Sequence, residues 1–316
     1  MTYLLEATSG NYILKKLLGT GCTCKCYLGE KKSSSPSKDS ETFAIKIINP
    51  KFHQYYSNEV NILSNFSQND NIIKLYEHGQ GYIIPFPVEE NKENKEMIYY
   101  EVMEYAINGE LKDYVQDVST RIPENISAKI FYEIVSSVKY LHDNNIAHCD
   151  IKPENVLLNK NYRALLADFG FSRHFETNDH ILHEFCGSEY YCGPEIKKAY
   201  TKGYDAMMND AFSLGVLLFV ITIGEFPFEM TTFSDQRYRH IIKKDYDRFW
   251  EYINQVETSD EFKDLINNLI NITPSQRLEI SQILEHPWVL KYANGENNND
   301  NNLGNEDVIK ELKSRK

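Results

Sequence analysis

The sequence lacks an apolar stretch long enough to span a bilayer. Its longest apolar run, residues 211–223, lies between Asp210 and Gly224 and is shorter than the roughly 20 residues that a membrane-spanning helix needs. We therefore expect a buried core helix there. The first ten residues contain neither a basic segment nor a long apolar segment, so no secretory signal is predicted. Thr2 stands where myristoylation requires glycine.

Cysteine and positive charge are also scarce. The six cysteines lack the spacing of a disulfide scaffold, which favours a reduced intracellular protein, cytoplasmic with nuclear access left open. The 34 Lys and Arg residues against 46 Asp and Glu residues give a net charge of −12. This balance argues against a nucleic-acid partner or a membrane partner and favours basic ones. With 41% hydrophobic residues, the 316-residue chain can still form a folded core.

The hydrophobic pattern divides the chain into a strand-rich part and a helix-rich part. Short segments rich in β-branched and aromatic residues dominate the first hundred residues, interrupted by one helical spacing at residues 56–66. Beyond Gly109 the spacing becomes helical, and residues 125–145 place their apolar side chains on one face of a long helix. Two polar inserts, residues 31–40 and 89–96, are predicted to be solvated loops.

Three motifs differ in how specifically they indicate a function. Gly19-Thr20-Gly21 between two strand-like segments fits a plain hairpin as well as a loop whose backbone N–H groups close over phosphates. Lys46 fits a lysine that merely extends from a strand into water. By contrast, residues 148–155 (HCDIKPEN) combine a histidine, two carboxylates, a lysine and an amide, and Asp168-Phe169-Gly170 begins 18 residues beyond Asp150.

Taken in order, these motifs resemble the eukaryotic protein kinases. The matching residues are Gly19, Gly21, Ala44, Ile45, Lys46, Glu59, His148, Asp150, Lys152, Asn155, Asp168, Phe169, Gly170, Gly193, Pro194, Glu195, Asp210 and Arg277. The resemblance covers residues 12–288 and implies the α+β bilobal protein-kinase fold. It implies a small antiparallel β-sheet lobe with one regulatory helix at residues 12–105 and a larger α-helical lobe at 106–288. Residues 289–316 are polar and are predicted to form a disordered tail.

The resemblance implies transfer of a phosphoryl group from ATP with Mg²⁺. Lys46 would hold the α and β phosphates and pair with Glu59. Asp150 would accept the proton of the substrate hydroxyl, and Lys152 would meet the γ-phosphate. The oxygen ligands that suit Mg²⁺ would come from Asn155 and Asp168. The other nucleotide-binding positions implied are Leu18, Gly19, Thr20, Gly21, Cys26, Ala44, Met103, Glu104, Ala106 and Leu157.

Further residues point to the kind of kinase. The run Lys152-Pro153-Glu154 resembles Ser/Thr kinases, and Cys186-Gly187-Ser188 with His286-Pro287-Trp288 resembles the calcium/calmodulin-dependent group, including its AMP-activated branch. Glu110 and Glu154 resemble the acidic pair that binds an arginine three residues before the acceptor. The alternative is that Glu110 contacts only ribose. Phe171 resembles kinases that prefer serine as the acceptor.

Several positions depart from the kinase pattern. Cys24 replaces the third glycine of the glycine-rich loop. Cys22, Cys24 and Cys26 alternate, so in a strand their side chains would share one face. The interval between Lys46 and Glu59 is only 13 residues. Cys149 replaces the arginine that usually precedes the catalytic aspartate. Glu184 stands where a phosphothreonine would be, with Arg173, His174 or Lys51 as its possible partner. We therefore expect activity without phosphorylation of the activation segment, the stretch between Asp168-Phe169-Gly170 and Gly193-Pro194-Glu195.

The rival hypothesis is a catalytically inactive pseudokinase that serves as a binding scaffold. It requires the loss of Lys46, Asp150, Asn155 or Asp168, and all four are present. No EF-hand motif follows the kinase-like region, and the basic segment 308–316 is too short to indicate a calmodulin target. We expect a monomer that acts on proteins with basic residues before the acceptor.

Overall fold

The computed structural model describes residues 2–8, 10–32, 41–86, 95–177, 179–253, 256–293 and 303–315. The chain divides into two compact units, Met1–Ile107 and Asn108–Lys316, close to the boundary predicted from the sequence. The first unit is a sheet with one helix and the second is mainly helical, so the predicted α+β fold is confirmed. Most of each predicted polar loop lies outside the described residues.

The first unit is built on six antiparallel strands that close into a barrel in the order β1-β2-β3-β4-β6-β5. The strands are β1 (Thr2–Ala7), β2 (Gly10–Thr20), β3 (Cys24–Lys31), β4 (Thr42–Ile48), β5 (Leu75–Phe86) and β6 (Glu96–Glu104). The helix is α1 (His53–Phe66), which a short turn, Pro50–Phe52, joins to β4. The buried residues that fill this barrel are Leu5, Tyr12, Leu14, Tyr27, Phe43, Ile45, Ile47, Ile98, Tyr100 and Val102.

Strand β1 differs from the expectation, because the sequence predicted that the sheet begins at Tyr12. In the structure β1 pairs with β2 on one side and with β5 on the other, which closes the sheet. Leu4 and Leu5 are buried. The close approach of β1 requires glycine at position 81, since a Cβ there would lie 2.5 Å from the carbonyl oxygen of Glu6.

In the described residues, the second unit is a helical body with three two-stranded ribbons. Its helices are α2 (Glu124–Asp143), α3 (Ala199–Lys202), α4 (Ala206–Ile223), α5 (Gln236–Ile242), α6 (Tyr246–Tyr252), α7 (Asp260–Leu269), α8 (Ile280–Leu284), α9 (Pro287–Ala293) and α10 (Leu303–Lys313). The ribbons pair β7 (Ile146–Ala147) with β10 (Arg173–His174), β8 (Val156–Leu158) with β9 (Ala164–Leu166), and β11 (Ile181–Leu182) with β12 (Tyr204–Asp205).

Helix α4 is the apolar segment noted in the sequence. Among the described residues it is long and apolar enough to cross a membrane, with a mean hydropathy of 1.8, but 89% of it is buried inside the protein. Asp205 caps its N-terminus by accepting hydrogen bonds from the amides of Met207 and Met208 at 2.9 and 3.0 Å. Gly224, at φ 87°, ends it in the left-handed region. These features describe a core helix.

The tail predicted to be disordered contains a helix. Helix α10 runs from Leu303 to Lys313, and its Val308 and Leu312 are 4% and 0% exposed. It packs against α2. Composition alone misled the prediction, because two apolar residues at a spacing of four are enough to dock a short helix on an existing apolar face.

Candidate functional site

In the first unit, Lys46 and Glu59 form a buried ion pair. Lys46 lies on β4 and Glu59 on α1, and both are almost fully buried, so the pair is held away from water. The interval of 13 residues, shorter than usual, does not prevent this contact. The tight turn at Pro50–Phe52, capped by the Asn49 side chain, leads directly into α1 and shortens the connection.

The strand register places several of the predicted nucleotide-binding residues on one face of the sheet. Lys46 pairs with Cys26 of β3, and Ala44 pairs with Met103 of β6. Residues two apart on a strand, and residues directly paired across strands, share a face. The β4 residues of the barrel core, Phe43, Ile45 and Ile47, alternate with Ala44 and Lys46 along the strand. Ala44 and Lys46 therefore lie on the face opposite to the core. Glu104 ends β6 and Ala106, which is buried, follows it.

The glycine-rich segment forms the turn between β2 and β3. Leu18, Gly19 and Thr20 end β2, and the amide of Gly21 donates to the carbonyl oxygen of Cys24 at 2.9 Å, which closes the turn. A Cβ at position 19 would meet open space. The segment is therefore exposed backbone that can approach a phosphate group closely.

In the second unit, three side chains converge on Asp150. Lys152 Nζ donates to Asp150 Oδ2 at 2.8 Å and Asn155 Nδ2 donates to the same oxygen at 2.9 Å. Ser188 Oγ donates to Asp150 Oδ1 at 2.8 Å and also accepts from Lys152 Nζ at 2.8 Å. Asp150 is 3% exposed. A buried carboxylate that accepts from several donors is held in one orientation.

The loop that carries Asp150 is anchored from below by Asp210 of α4. Its carboxylate accepts from the amides of His148 and Cys149 at 2.8 and 2.9 Å, and His142 Nε2 lies 3.0 Å from it. Cys149 has a φ of 66°, in the left-handed region. A non-glycine residue remains there only when its surroundings fix it. Here the hydrogen bonds from two backbone amides to the buried carboxylate of Asp210 do so.

The two predicted metal ligands lie at the ends of adjoining segments. The amide of Ala167, which precedes Asp168, donates to the carbonyl oxygen of Asn155 at 2.9 Å. Asn155 uses its amide nitrogen on Asp150, which orients its amide oxygen away from that carboxylate. Asp168 adopts a φ of 61°. An amide oxygen and a carboxylate from adjoining segments are ligand types that fit Mg²⁺.

The activation segment is held by an ion pair and by an apolar cluster. Arg173 Nε and Nη2 donate to Glu184 Oε1 at 2.9 and 2.6 Å, which identifies the partner of Glu184 among the three candidates. Cys149 packs in a cluster of buried residues with Cys186, Cys192 and Tyr204. Burial raises the pKa of the Cys149 thiol well above its usual value, so this cluster is neutral and apolar.

A second ion pair lies at the end of the activation segment. Arg277 donates to both oxygens of Glu195, at 2.8 Å for Nη2 and Oε2, and also to the carbonyl oxygen of Met208 at 2.9 Å. Arg277 is 5% exposed. Two residues of the kinase-like set thus form a buried bidentate ion pair, and not a weak surface contact.

The predicted substrate-binding glutamates differ in their surroundings. Glu110 lies 3.3 Å from Lys112 Nζ and is partly exposed. Glu154 follows Pro153 in a short turn, and its Oε2 is buried with no hydrogen-bond partner among the described residues. Leu157 lies on β8 and forms an isolated bridge with Glu110. Both carboxylates thus retain capacity to accept a hydrogen bond.

Ser188 and His142 are site residues that the sequence did not assign. Ser188 contacts Asp150 across 38 positions and His142 contacts Asp210 across 68. The Cys186-Gly187-Ser188 motif was the available signal for Ser188. Gly187 permits the contact, since a Cβ there would lie 2.1 Å from the Cys149 carbonyl oxygen. No such signal exists for His142, which is the last basic residue of an amphipathic helix.

Comparison with known proteins gives one family and many relatives. The model of the family described as "Protein kinase domain" matches residues 12–289. The chain is 32% identical over 286 residues to the carbon catabolite-derepressing protein kinase of Secale cereale, covering 88% of this chain and 51% of the relative. It is 31% identical over 284 residues to CBL-interacting protein kinase 11 of Oryza sativa subsp. japonica, covering 89% and 52%. For the probable serine/threonine-protein kinase MARK-A of Dictyostelium discoideum the identity is 32% over 289 residues, covering 90% and 24%. The chain thus spans about half the length of the first two relatives.

Proposed function

Because the chain belongs to the protein kinase family, we propose that it transfers the γ-phosphate of ATP to serine or threonine hydroxyls of proteins. The observation that carries this proposal is the convergence of Lys152, Asn155 and Ser188 on the buried carboxylate of Asp150. The similarity to Ser/Thr kinases agrees with the group that the motifs indicate. An inactive scaffold would have no need for this arrangement.

The proposed roles of the residues are those that the resemblance to protein kinases implies, and the contacts described above support them. In the first unit, Lys46, fixed by Glu59, would bind the phosphates, and the exposed turn at Gly19–Gly21 would offer backbone amides. In the second unit, Asp150 would orient the substrate hydroxyl and take its proton, and Lys152 would stabilise charge on the transferring group. Asn155 and Asp168 would hold Mg²⁺, which neutralises charge on the phosphates when bound.

The test is phosphorylation of a serine peptide by the purified protein with ATP and Mg²⁺. We expect the Asp150→Asn variant to lose about 10²–10⁴-fold in kcat, the contribution of a positioned general base, while it still binds ATP. The matched control is Asp143→Asn, since Asp143 lies exposed on α2 and pairs only with Lys139 among the described residues. ATP binding without turnover in the wild-type protein would instead support the scaffold hypothesis.

The proposed substrates carry a basic residue three positions before the acceptor, which is preferably serine. Glu110 and Glu154 support this, because each has a carboxylate oxygen able to accept from an arginine. The net charge of −12 supports it further. An array of peptides that vary this position tests the proposal, and equal rates with arginine and alanine would contradict it.

We further propose that the protein is competent without phosphorylation of its activation segment. The Arg173–Glu184 pair replaces the contact that a phosphate would make. Cys149 removes the cation that a phosphate would otherwise neutralise, and its apolar cluster ties the catalytic loop to the segment. A monomeric state and a cytoplasmic location are part of the same proposal, and the six free cysteines support a reducing compartment.

A further inference from the structure

Arg315, two residues beyond the end of α10, uses its whole guanidinium group on one short segment and on Glu311 of α10. Nη1 donates to the carbonyl oxygens of Tyr114, at 3.2 Å, and Thr120, and Nη2 donates to that of Arg121 at 2.8 Å. Nε and Nη2 also donate to Glu311 Oε1, with 3.1 Å for Nε. A guanidinium has five N–H donors, and all five are used here. Arg315 therefore clamps both ends of residues 114–121.

Helix α10 fixes the position of this clamp. Val308 and Leu312 are buried and α10 packs against α2, while Lys129 of α2 lies 3.5 Å from Asp307. Glu311, one turn before Arg315, orients the guanidinium. The donors are thus preorganised before they meet the segment, which lowers the ordering cost of each hydrogen bond.

The clamped segment continues directly from Glu110. The amide of Asp113 donates to the Glu110 carbonyl oxygen at 3.1 Å, and the Tyr114 hydroxyl donates to the Asn108 carbonyl oxygen at 2.9 Å. On the other side, the amide of Asn108 donates to the carbonyl oxygen of Leu158 at 3.1 Å. Glu110 therefore lies between one residue tied to β8 and one residue tied to Arg315.

We infer that Arg315 is a positioning residue for substrate binding: through Tyr114 it holds the Glu110 carboxylate where it meets a basic substrate side chain. The inference rests on the proposed capture of that side chain by Glu110. Without the hydrogen bonds from Arg315, residues 111–121 gain conformational freedom that must be lost again when the substrate binds. This loss weakens binding of the basic residue and does not change the rate of the chemistry at Asp150.

The experiment compares Arg315→Ala with Lys313→Ala, which removes the same charge from the exposed last residue of α10, two positions before Arg315. Each variant and the wild type are assayed with two serine peptides that differ only in arginine or alanine three positions before the acceptor. For Arg315→Ala we expect the KM of the arginine peptide to rise about 3–10-fold with kcat within about twofold. The alanine peptide and Lys313→Ala should show no change. For Arg315→Lys, which lacks the planar guanidinium, the KM of the arginine peptide should lie between the values of the wild type and of Arg315→Ala.

Hydrogen exchange supplies the second measurement. We expect the amides of residues 113–121 to exchange faster in Arg315→Ala than in Lys313→Ala, while the amides of α4 are unaffected. If the wild type prefers the arginine peptide and Arg315→Ala keeps that preference, the inference is wrong and the proposed specificity stands. If the wild type shows no preference, the proposed specificity fails and the inference fails with it. Unchanged exchange in residues 113–121 would also overturn it.

Discussion

Among single residues, the thiols of the first unit differ sharply in their surroundings. Burial raises the pKa of Cys26 from 9.0 to about 12, against the opposing effect of Lys46. Cys22 is exposed on the turn between β2 and β3. Only a thiolate is an effective nucleophile. Of these two thiols, Cys22 should therefore be the one that reacts with a thiol reagent.

We expect N-ethylmaleimide at neutral pH to modify Cys22 and to leave Cys26 intact, because a pKa of about 12 lowers the thiolate fraction of Cys26 about a thousandfold. ATP should slow the modification, since Cys22 follows the glycine-rich turn. Mass spectrometry of tryptic peptides locates the adduct. The Cys22→Ser variant should abolish it and Cys26→Ser should not, while an adduct that forms equally fast on Cys26 would contradict the prediction.

The Arg173–Glu184 pair permits a second prediction at this scale. Both side chains are partly exposed, at 26% and 53%, and exposed pairs contribute about 0–1 kcal/mol. We expect Glu184→Gln to lower kcat by no more than about fivefold, with Glu176→Gln, an exposed glutamate of the same segment, as the control.

Phosphatase treatment, verified by mass spectrometry, should leave the activity unchanged. Recovery of activity only after phosphorylation of Thr177 or Ser172 would reverse the proposal of constitutive competence. Ser172 is an unfavourable site, since it is 2% exposed and its hydroxyl donates to the His148 carbonyl oxygen at 3.2 Å.

Single residues with a fixed local motif could be predicted from the sequence, and residues defined by distant contacts could not. The loop around Asp150 and the Glu195–Arg277 pair were recognised by residue type and order. The Arg173–Glu184 pair was left open among three candidates, because the sequence does not show which cation folds back onto the segment. Arg315 was missed because the carbonyl oxygens that it binds lie 194 to 201 positions away.

At the scale of elements, β1 is what distinguishes the first unit from the antiparallel sheet predicted to begin at residue 12. The strand is only six residues long, and its partners β2 and β5 are respectively adjacent and distant in the chain. Its alternation is too short to be told from a loop by pattern alone. The close contact at Gly81 is what makes the pairing with β5 possible.

We predict that Gly81→Ala destabilises the first unit. The added Cβ would lie 2.5 Å from a backbone oxygen of Glu6 and 3.2 Å from Tyr100 Cδ1, so β1 must move away. We expect a loss of about 1–3 kcal/mol in the free energy of unfolding, the usual cost of overpacking, with faster hydrogen exchange in β1. The control is Gly79→Ala, whose added Cβ would come no closer than 3.2 Å to a neighbouring atom, the Tyr100 hydroxyl oxygen, and would meet no backbone atom among its nearest neighbours. Equal urea midpoints for the two variants would show that β1 does not approach β5 as closely as described.

For the whole molecule, the sequence predicted the division into two units because periodicity changes near Gly109. It could not predict that the last helix folds back onto α2. That contact depends on two apolar residues within a polar stretch and on acceptors that the segment 114–121 presents only after folding. Composition describes the average behaviour of a segment, whereas docking depends on a few side chains and the surface that receives them.

The net charge of −12 makes a prediction about the molecule as a whole. A negative field attracts a basic peptide before any specific contact forms, and salt screens it over ~10 Å at 0.1 M. At saturating ATP we expect the KM of a peptide with several basic residues to rise about 3–10-fold between ~0.05 and ~0.5 M salt, with little change in kcat. A peptide with a single arginine three positions before the acceptor and no other charge should change less than about twofold, because its proposed contact with Glu110 is short-ranged. Because the attraction is proportional to the charge of the peptide, the two salt dependences should separate as basic residues are added one at a time. An identical salt dependence for both peptides would mean that capture is confined to Glu110 and Glu154 and that the excess of acidic residues has no part in it.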